Sequence, residues 1–256
     1  VFWRTIGAMA ALALLFYVAS AAVLYFNQRG MLYHPEFSWR VTHAPDIALV
    51  NAGVTLRGWV VNAGRPRALL YFGGNGERIE DARESLAQWF PGRTIYLLPY
   101  RGYAGSEGEP TERALVADAL AWFDRVAKDH QSIAVLGRSL GSGVAVQLAA
   151  RRPVERLALV TPFDSLVRVA QGFYPWFPID WMARDRFDSW RYAPQVHCPV
   201  LIVRAGQDQL MPAENTAALA ASFPAPPLQQ VVPEAGHNDI QDYLEYRGSL
   251  VRFFLP

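Results

Sequence analysis

The sequence predicts an α/β fold: a mostly parallel, eight-stranded sheet with helices on both faces, preceded by one transmembrane helix. Three observations carry this. Short apolar runs alternate with segments of helical periodicity from residue 47 onward. Most of those runs are apolar at successive positions, as strands covered on both faces require. Residues 6–26, IGAMAALALLFYVASAAVLYF, contain no charge at all. The 256 residues are 52% hydrophobic and 18% charged, more apolar and less charged than an average globular chain, which excludes intrinsic disorder. The length suits one large domain with an ample core. A net charge of +1 leaves no electrostatic footprint for nucleic acid.

The uncharged stretch comes first. At 1.5 Å per residue it is about 30 Å long as a helix, the thickness of a hydrocarbon core. Arg4 and Arg29 bracket it, and Trp3, Tyr25 and Tyr33 lie near its ends, where aromatic rings suit the membrane interface. The expectation is a single-pass membrane anchor over residues 1–30, followed by an α/β domain over residues 31–256. Ala19-Ser20-Ala21 offers a signal-peptide cleavage site as an alternative, although the apolar run continues beyond it; a buried core helix is a third. The sequence opens on Val1 rather than Met, which points to an alternative start codon or a truncated sequence.

The remaining elements follow in order. Ile47–Val50 and Val54–Val61, separated by Asn51-Ala52-Gly53, read as a hairpin. Ala68–Phe72 is a strand, Arg78–Phe90 a helix and Thr94–Leu98 a strand. Glu112–Lys128 is a helix with Leu115, Ala119, Trp122 and Val126 on one face. Ile133–Leu136 is a strand and Leu140–Ala150 a helix. Leu157–Val160 and Val200–Arg204 are strands, with an insert between them at about residues 166–195. Pro212–Ala221 is a helix, with Pro212 at its first position. Leu228–Val232 is the last strand and Ile240–Phe254 the last helix.

Parallel sheets of this kind place their sites at the carboxyl ends of the strands. Gly137-Arg138-Ser139-Leu140-Gly141 stands between a strand and a helix, a context in which a sharp turn exposes the serine hydroxyl as a nucleophile. The same stretch fails the spacing of a dinucleotide loop, because Val146 stands where a third glycine belongs. Among the five histidines, only His237 follows a strand and opens a helix, so it is the candidate base. Asp208, after the Val200–Arg204 strand, is the candidate acid that orients it, and Asp164 is the fallback. An oxyanion hole requires the Leu140 N–H and a second donor from Gly73-Gly74-Asn75-Gly76, assigned to the Asn75 N–H. Lys128 is the only lysine, which excludes a Walker A site and argues against Schiff-base chemistry. Cys198 is the only cysteine, so no internal disulfide forms, and neither Cys-x-x-Cys nor His-Glu-x-x-His supports a zinc site.

With these motifs the chain resembles the α/β-hydrolase superfamily, and within it the membrane-anchored Bem46-like and ABHD-type serine hydrolases. The resemblance runs from about Arg29 to the C-terminus. It rests on Tyr71-Phe72-Gly73-Gly74-Asn75, Tyr100-Arg101-Gly102-Tyr103 followed by Ser106-Glu107-Gly108, the Ser139 pentapeptide, Arg184-Asp185-Arg186-Phe187-Asp188-Ser189 and Gly236-His237-Asn238. Tyr33-His34-Pro35 after the apolar run also resembles that group. The chain departs from it at Gly73, often His in the family, and at Ala104, often Gly. The resemblance implies hydrolysis of esters or thioesters, often lipid-like, without a cofactor. In such a fold the insert caps the active site. Its aromatic residues Phe173, Tyr174, Trp176, Phe177 and Trp181 are therefore expected to bind an apolar acyl or aromatic group of a small-molecule or lipid substrate, with ordinary packing as the alternative. Amidase or acyltransferase activity, or a membrane-anchored binding module without catalysis, are the rival functions.

Overall fold

The computed structural model describes residues 2–255. Helix α1 (Phe2–Leu32) contains the whole uncharged stretch and extends past both of its ends. It is long and apolar enough to cross a membrane. Strands β1 (Ile47–Asn51) and β2 (Val54–Val61) pair antiparallel. The turn between them puts Ala52 and Gly53 at φ of 49° and 75°, the left-handed pair that a two-residue hairpin needs. Then come β3 (Arg67–Phe72), α2 (Arg83–Trp89), β4 (Arg93–Leu97), α3 (Glu112–Val126), β5 (Ser132–Arg138), α4 (Leu140–Ala149) and β6 (Leu157–Val160). The insert carries α5 (Leu166–Phe173), α6 (Ile179–Met182) and α7 (Ser189–Tyr192). β7 (Val200–Ala205), α8 (Ala213–Ala220), β8 (Leu228–Val232) and α9 (Leu244–Phe254) complete the chain.

The eight strands form one sheet in the order β1-β2-β4-β3-β5-β6-β7-β8. β2 pairs antiparallel with both β1 and β4, and every later pair is parallel. Successive strand residues face opposite layers. Leu70, Phe72 and Val135 pack with Leu115, Trp122, Val144 and Leu148 of α3 and α4. Leu69, Tyr71 and Leu136 pack with Leu86 of α2 and with Leu250 and Phe253 of α9. Burial on both faces is why these strands read as continuous apolar runs.

Several boundaries differ from the sequence expectation. The segment 78–90 begins as a short 3-10 turn, Ile79–Ala82, before α2. There the buried Glu80 carboxylate accepts the Thr42 and His43 N–H groups, and this tie to the N-terminal loop overrides local helix propensity. The last helix is interrupted at Tyr243, whose backbone is extended and whose hydroxyl donates to the Glu234 carbonyl. Pro212 caps α8 from outside the helix rather than occupying its first position. β5 runs two residues further than expected, because Gly137 and Arg138 pair with Leu159 and Val160 of β6.

Candidate active site

The site forms at the carboxyl ends of β3, β5, β7 and β8, with β6 between β5 and β7. Phe72 at the end of β3 is in register with Gly137 of β5, which brings the glycine-rich loop 73–76 beside Ser139. The turn from β5 into α4 holds Ser139 at φ 50° and ψ −117°, a conformation that costs a non-glycine residue roughly 1–3 kcal/mol. Its flanks have no room for side chains. A Cβ on Gly141 would lie 2.1 Å from the Phe72 carbonyl oxygen, and one on Gly137 would lie 2.5 Å from the Gly141 carbonyl oxygen. At the far edge the loops after β7 and β8 are tied together by Gly206 N–H to Val232 C=O and Gln207 N–H to Ala235 C=O.

These loops bring together the three side chains singled out in the sequence. His237 Nε2 lies 2.9 Å from Ser139 Oγ, and His237 Nδ1 lies 2.8 Å from Asp208 Oδ2. The His237 and Asp208 side chains are both buried. The second oxygen of Asp208 accepts the N–H groups of Leu210 and Met211 at 2.9 and 2.8 Å, which fixes the plane of the carboxylate. Asp164, the fallback acid, is engaged elsewhere. It accepts from Ser165 N–H and from Asn215 Nδ2 and pairs with Arg168.

A ring of buried and half-buried groups braces the site. Glu77 accepts the Gly74 N–H at 2.9 Å, the Tyr71 hydroxyl and the Arg138 guanidinium at 3.2 Å. Arg138 also donates to the His237 carbonyl at 3.3 Å, so one buried ion pair spans the β3 loop and the histidine loop. Burial opposes the Arg138 charge, but Glu77, with Tyr71 and Tyr246, outweighs it, and the guanidinium pKa lies above its usual value. The Tyr100-Arg101-Gly102-Tyr103 motif serves the same loop. The Tyr100 hydroxyl donates to the Gly73 carbonyl and the Tyr103 hydroxyl to the Asn75 carbonyl. The Asn75 side-chain amide donates to the Leu32 carbonyl at the end of α1.

A cavity of about 620 Å³ opens over Ser139 and His237, with Asn75 and Leu140 in its lining. His34, Phe37, Leu166, Val169, Leu210 and Met211 also border it. The early position of His34 and Phe37 in the chain gave no hint of this. Of the five insert aromatics expected to meet substrate, Phe173 borders the cavity. Tyr174 lines a neighbouring one. Phe177 instead stacks on Tyr17 of α1, and Trp176 and Trp181 point outward, 83% and 89% exposed. Aromatic content alone carries no information on direction, and these three side chains do not line the cavity over Ser139. Among the described residues, no three His, Cys, Asp or Glu side chains come together as a metal site.

Comparison with known proteins agrees with this architecture. The model of the α/β hydrolase fold family matches residues 67–187. An uncharacterised protein of Mycobacterium tuberculosis is 34% identical over 249 residues, covering 91% of this chain and 89% of that one. Lysophosphatidylserine lipase ABHD12 of Danio rerio is 30% identical over 167 residues, 56% of this chain and 44% of that one. The human α/β hydrolase domain-containing protein 17B is 31% identical over 165 residues, 62% of this chain and 55% of that one. Among solved structures, an esterase of Pyrococcus furiosus superposes with a TM-score of 0.66 at 16% identity, covering 86% of this chain and 94% of that one. With the sheet order and the strand–turn–helix at Ser139, these matches place the chain in the α/β-hydrolase family, among its ABHD-type members.

Proposed function

We propose that this chain is a membrane-tethered serine hydrolase that cleaves a carboxylic ester or thioester of lipid-like character. The observation that carries the proposal is the unbroken line of hydrogen bonds from Ser139 Oγ through His237 to Asp208, at 2.9 and 2.8 Å. With Asp208 accepting from Nδ1–H, the imidazole keeps the lone pair on Nε2 toward Ser139. Ser139 Oγ attacks the carbonyl carbon while its proton passes to Nε2. The imidazolium then gives that proton to the leaving alcohol or thiol, and an acyl-serine remains. Water repeats the sequence in reverse roles: His237 takes its proton, the carboxylic acid leaves and Ser139 regains its hydrogen.

The oxyanion of each tetrahedral intermediate is assigned to the N–H groups of Leu140 and Asn75. Both residues border the cavity. The neighbouring Gly74 N–H is already taken by Glu77, and Leu140 is the first residue of α4, where N–H groups lack intrahelical partners and the helix dipole favours negative charge. No cofactor is required by this chemistry. The lipase name of the Danio rerio relative and the apolar wall of Leu166, Val169 and Phe173 support a lipid-like acyl group, and α1 supports attachment to a membrane.

The test is labelling with a small fluorophosphonate beside turnover of a p-nitrophenyl ester. The native chain is expected to label at Ser139. Ser139→Ala is expected to lose labelling and roughly 10⁴-fold or more in turnover. Unchanged labelling of that variant would overturn the proposal.

A further inference from the structure

A second cavity, about 300 Å³, lies between α1 and the insert. One wall is a single face of α1, with Leu24, Gln28, Met31 and Leu32 at helical spacing. The facing wall comes from α5 and α6, through residues such as Ala170 and Met182. Leu32, Leu166, Val169 and Phe173 border both this cavity and the one over Ser139, so the two adjoin across a shared apolar partition. The polar Asp185 at its edge is already occupied by Arg29 and by the Glu112 N–H. The lining therefore offers an occupant apolar surface and little else.

The position of α1 says where that occupant comes from. The Leu32 carbonyl is bonded to Asn75 in the loop beside Ser139. From Leu32 back to Leu24 the helix axis covers about 12 Å, leading from the reaction centre into the uncharged stretch that ends at Phe26. The insert follows α1 further still, because the Tyr17 hydroxyl donates to the Trp176 carbonyl and the Tyr17 and Phe177 rings stack. Tyr17 lies nine residues inside that stretch, about 13 Å from Phe26. The tip of the insert, with its exposed Trp176 and Trp181 rings, thus lies alongside the apolar stretch of α1, within reach of lipid.

We infer that the chamber between α1 and the insert seats the fatty acyl chain of a lipid-like ester taken from the bilayer, so that the membrane helix is itself a wall of the substrate site. This rests on the serine-hydrolase reading above and adds the seat of the acyl chain and the role of α1. Each buried methylene contributes roughly fourfold in affinity, so activity should climb with chain length until the chamber is full.

The experiment uses the full chain in phosphatidylcholine nanodiscs. Its kcat/KM is measured on acetate, octanoate and palmitate esters of one alcohol, alongside fluorophosphonate labelling. Octanoate is expected to exceed acetate by about tenfold or more. Ala170→Trp and Leu24→Trp, which fill the chamber from its two walls, are each expected to reduce the octanoate-to-acetate ratio by about tenfold. An alkyl fluorophosphonate with a diazirine at its chain end supplies a test on the native chain. After labelling and irradiation, crosslinks are expected within residues 24–32 or 166–183. Absence of labelling overturns the hydrolase reading and the chamber's role with it. Labelling with no preference for longer chains overturns the chamber alone, as do native ratios in both variants or crosslinks confined to residues 34–37, residues 210–211 or lipid.

Discussion

Asp164 and Asp208 both follow strands on the same half of the sheet, and their hydrogen bonds separate them. Asp208 holds His237 with one oxygen and two backbone N–H groups with the other. Asp164 holds Ser165, Asn215 and Arg168. Asp208→Asn is therefore expected to preserve the fold and lower kcat roughly 10⁴-fold, because an amide favours the wrong imidazole tautomer. Asp164→Asn is expected to lower thermal stability while kcat per folded molecule stays within a fewfold; steady-state rates of both variants check this, and a reversed order would reassign the acid. A second carboxylate serves folding alone. Glu155 accepts both arms of Arg93 at 2.9 Å, and Arg93 also binds the Phe254 carbonyl. The Arg93 hydrogen bonds hold the Glu155 pKa down at about 2. The depressed value means that the unfolded chain takes up more protons than the native one between pH 4.5 and about 2. Stability from this group is thus complete above pH 4.5 and is lost as pH falls through that window, with a slope of up to about 1.4 kcal/mol per pH unit. Glu155→Gln should flatten the fall in urea-unfolding free energy across the same range. The meeting of Ser139, His237 and Asp208 was legible because each follows a strand and their chain order fits the proposed mechanism. The Glu77–Arg138 pair was not, because its partners lie 61 residues apart and meet only through the parallel register of β3 and β5.

The turn from β5 to α4 is the element on which the site depends, and it tolerates no bulk. Gly141→Ala would press a methyl group against the Phe72 backbone at 2.1 Å, and neither β3 nor α4 can retreat without opening the core. A loss of about 3 kcal/mol or more is expected, at the upper end of overpacking effects. Gly172 on α5 meets nothing within 4 Å, so Gly172→Ala should be neutral or stabilising by up to about 1 kcal/mol. Thermal unfolding of the two variants compares them directly, and equal midpoints would show that the close approach at Gly141 is unimportant. The Arg184–Ser189 motif has an equally concrete use. Asp185 binds Arg29 of α1 and the first N–H of α3, Arg186 N–H donates to Glu112, and Asp188 accepts from Ser165 and Arg186. Phe187 is fully buried against Gly143 of α4. This run therefore fastens the insert to α1, α3 and α4 at once. Although the edge strands β1 and β8 are partly exposed, sequence periodicity located the central strands β3, β5, β6 and β7 as continuous apolar runs because they are buried on both faces. It missed the breaks at residues 79–82 and 243, which are set by Glu80 and Tyr243 reaching partners distant in the chain.

At the scale of the whole molecule, α1 stands apart from the core yet stays attached to it. None of its residues is fully buried, whereas the two layers beside the sheet are built from later residues, apart from a partly buried Leu32. Its holds on the rest are few: Tyr17 to Trp176 and Phe177, Gln28 to Met182 and Arg184, Arg29 to Asp185, and Leu32 to Asn75. The apolar stretch is suited to a further partner, the lipid bilayer, by length and composition. Leu, Ile, Phe and Val each gain roughly 0.3–0.6 kcal/mol near the centre of a bilayer, and residues 6–26 contain no charge to oppose them. The full chain is accordingly expected to remain with membranes through an alkaline carbonate wash. A chain beginning at Met31 is expected to fold and leave the membrane, since it keeps every strand, both core layers and all three of Ser139, Asp208 and His237. It should be less stable than the full chain by about 1–3 kcal/mol, because the buried Asp185 carboxylate loses Arg29 and keeps only the Glu112 N–H. Partition after the wash, circular dichroism and urea unfolding of the two chains measure these effects. Release of the full chain by carbonate would show that α1 does not span a bilayer. Collapse of the shorter chain would show that the α1 contacts are needed for folding and that the boundary at residues 30–31 is misplaced.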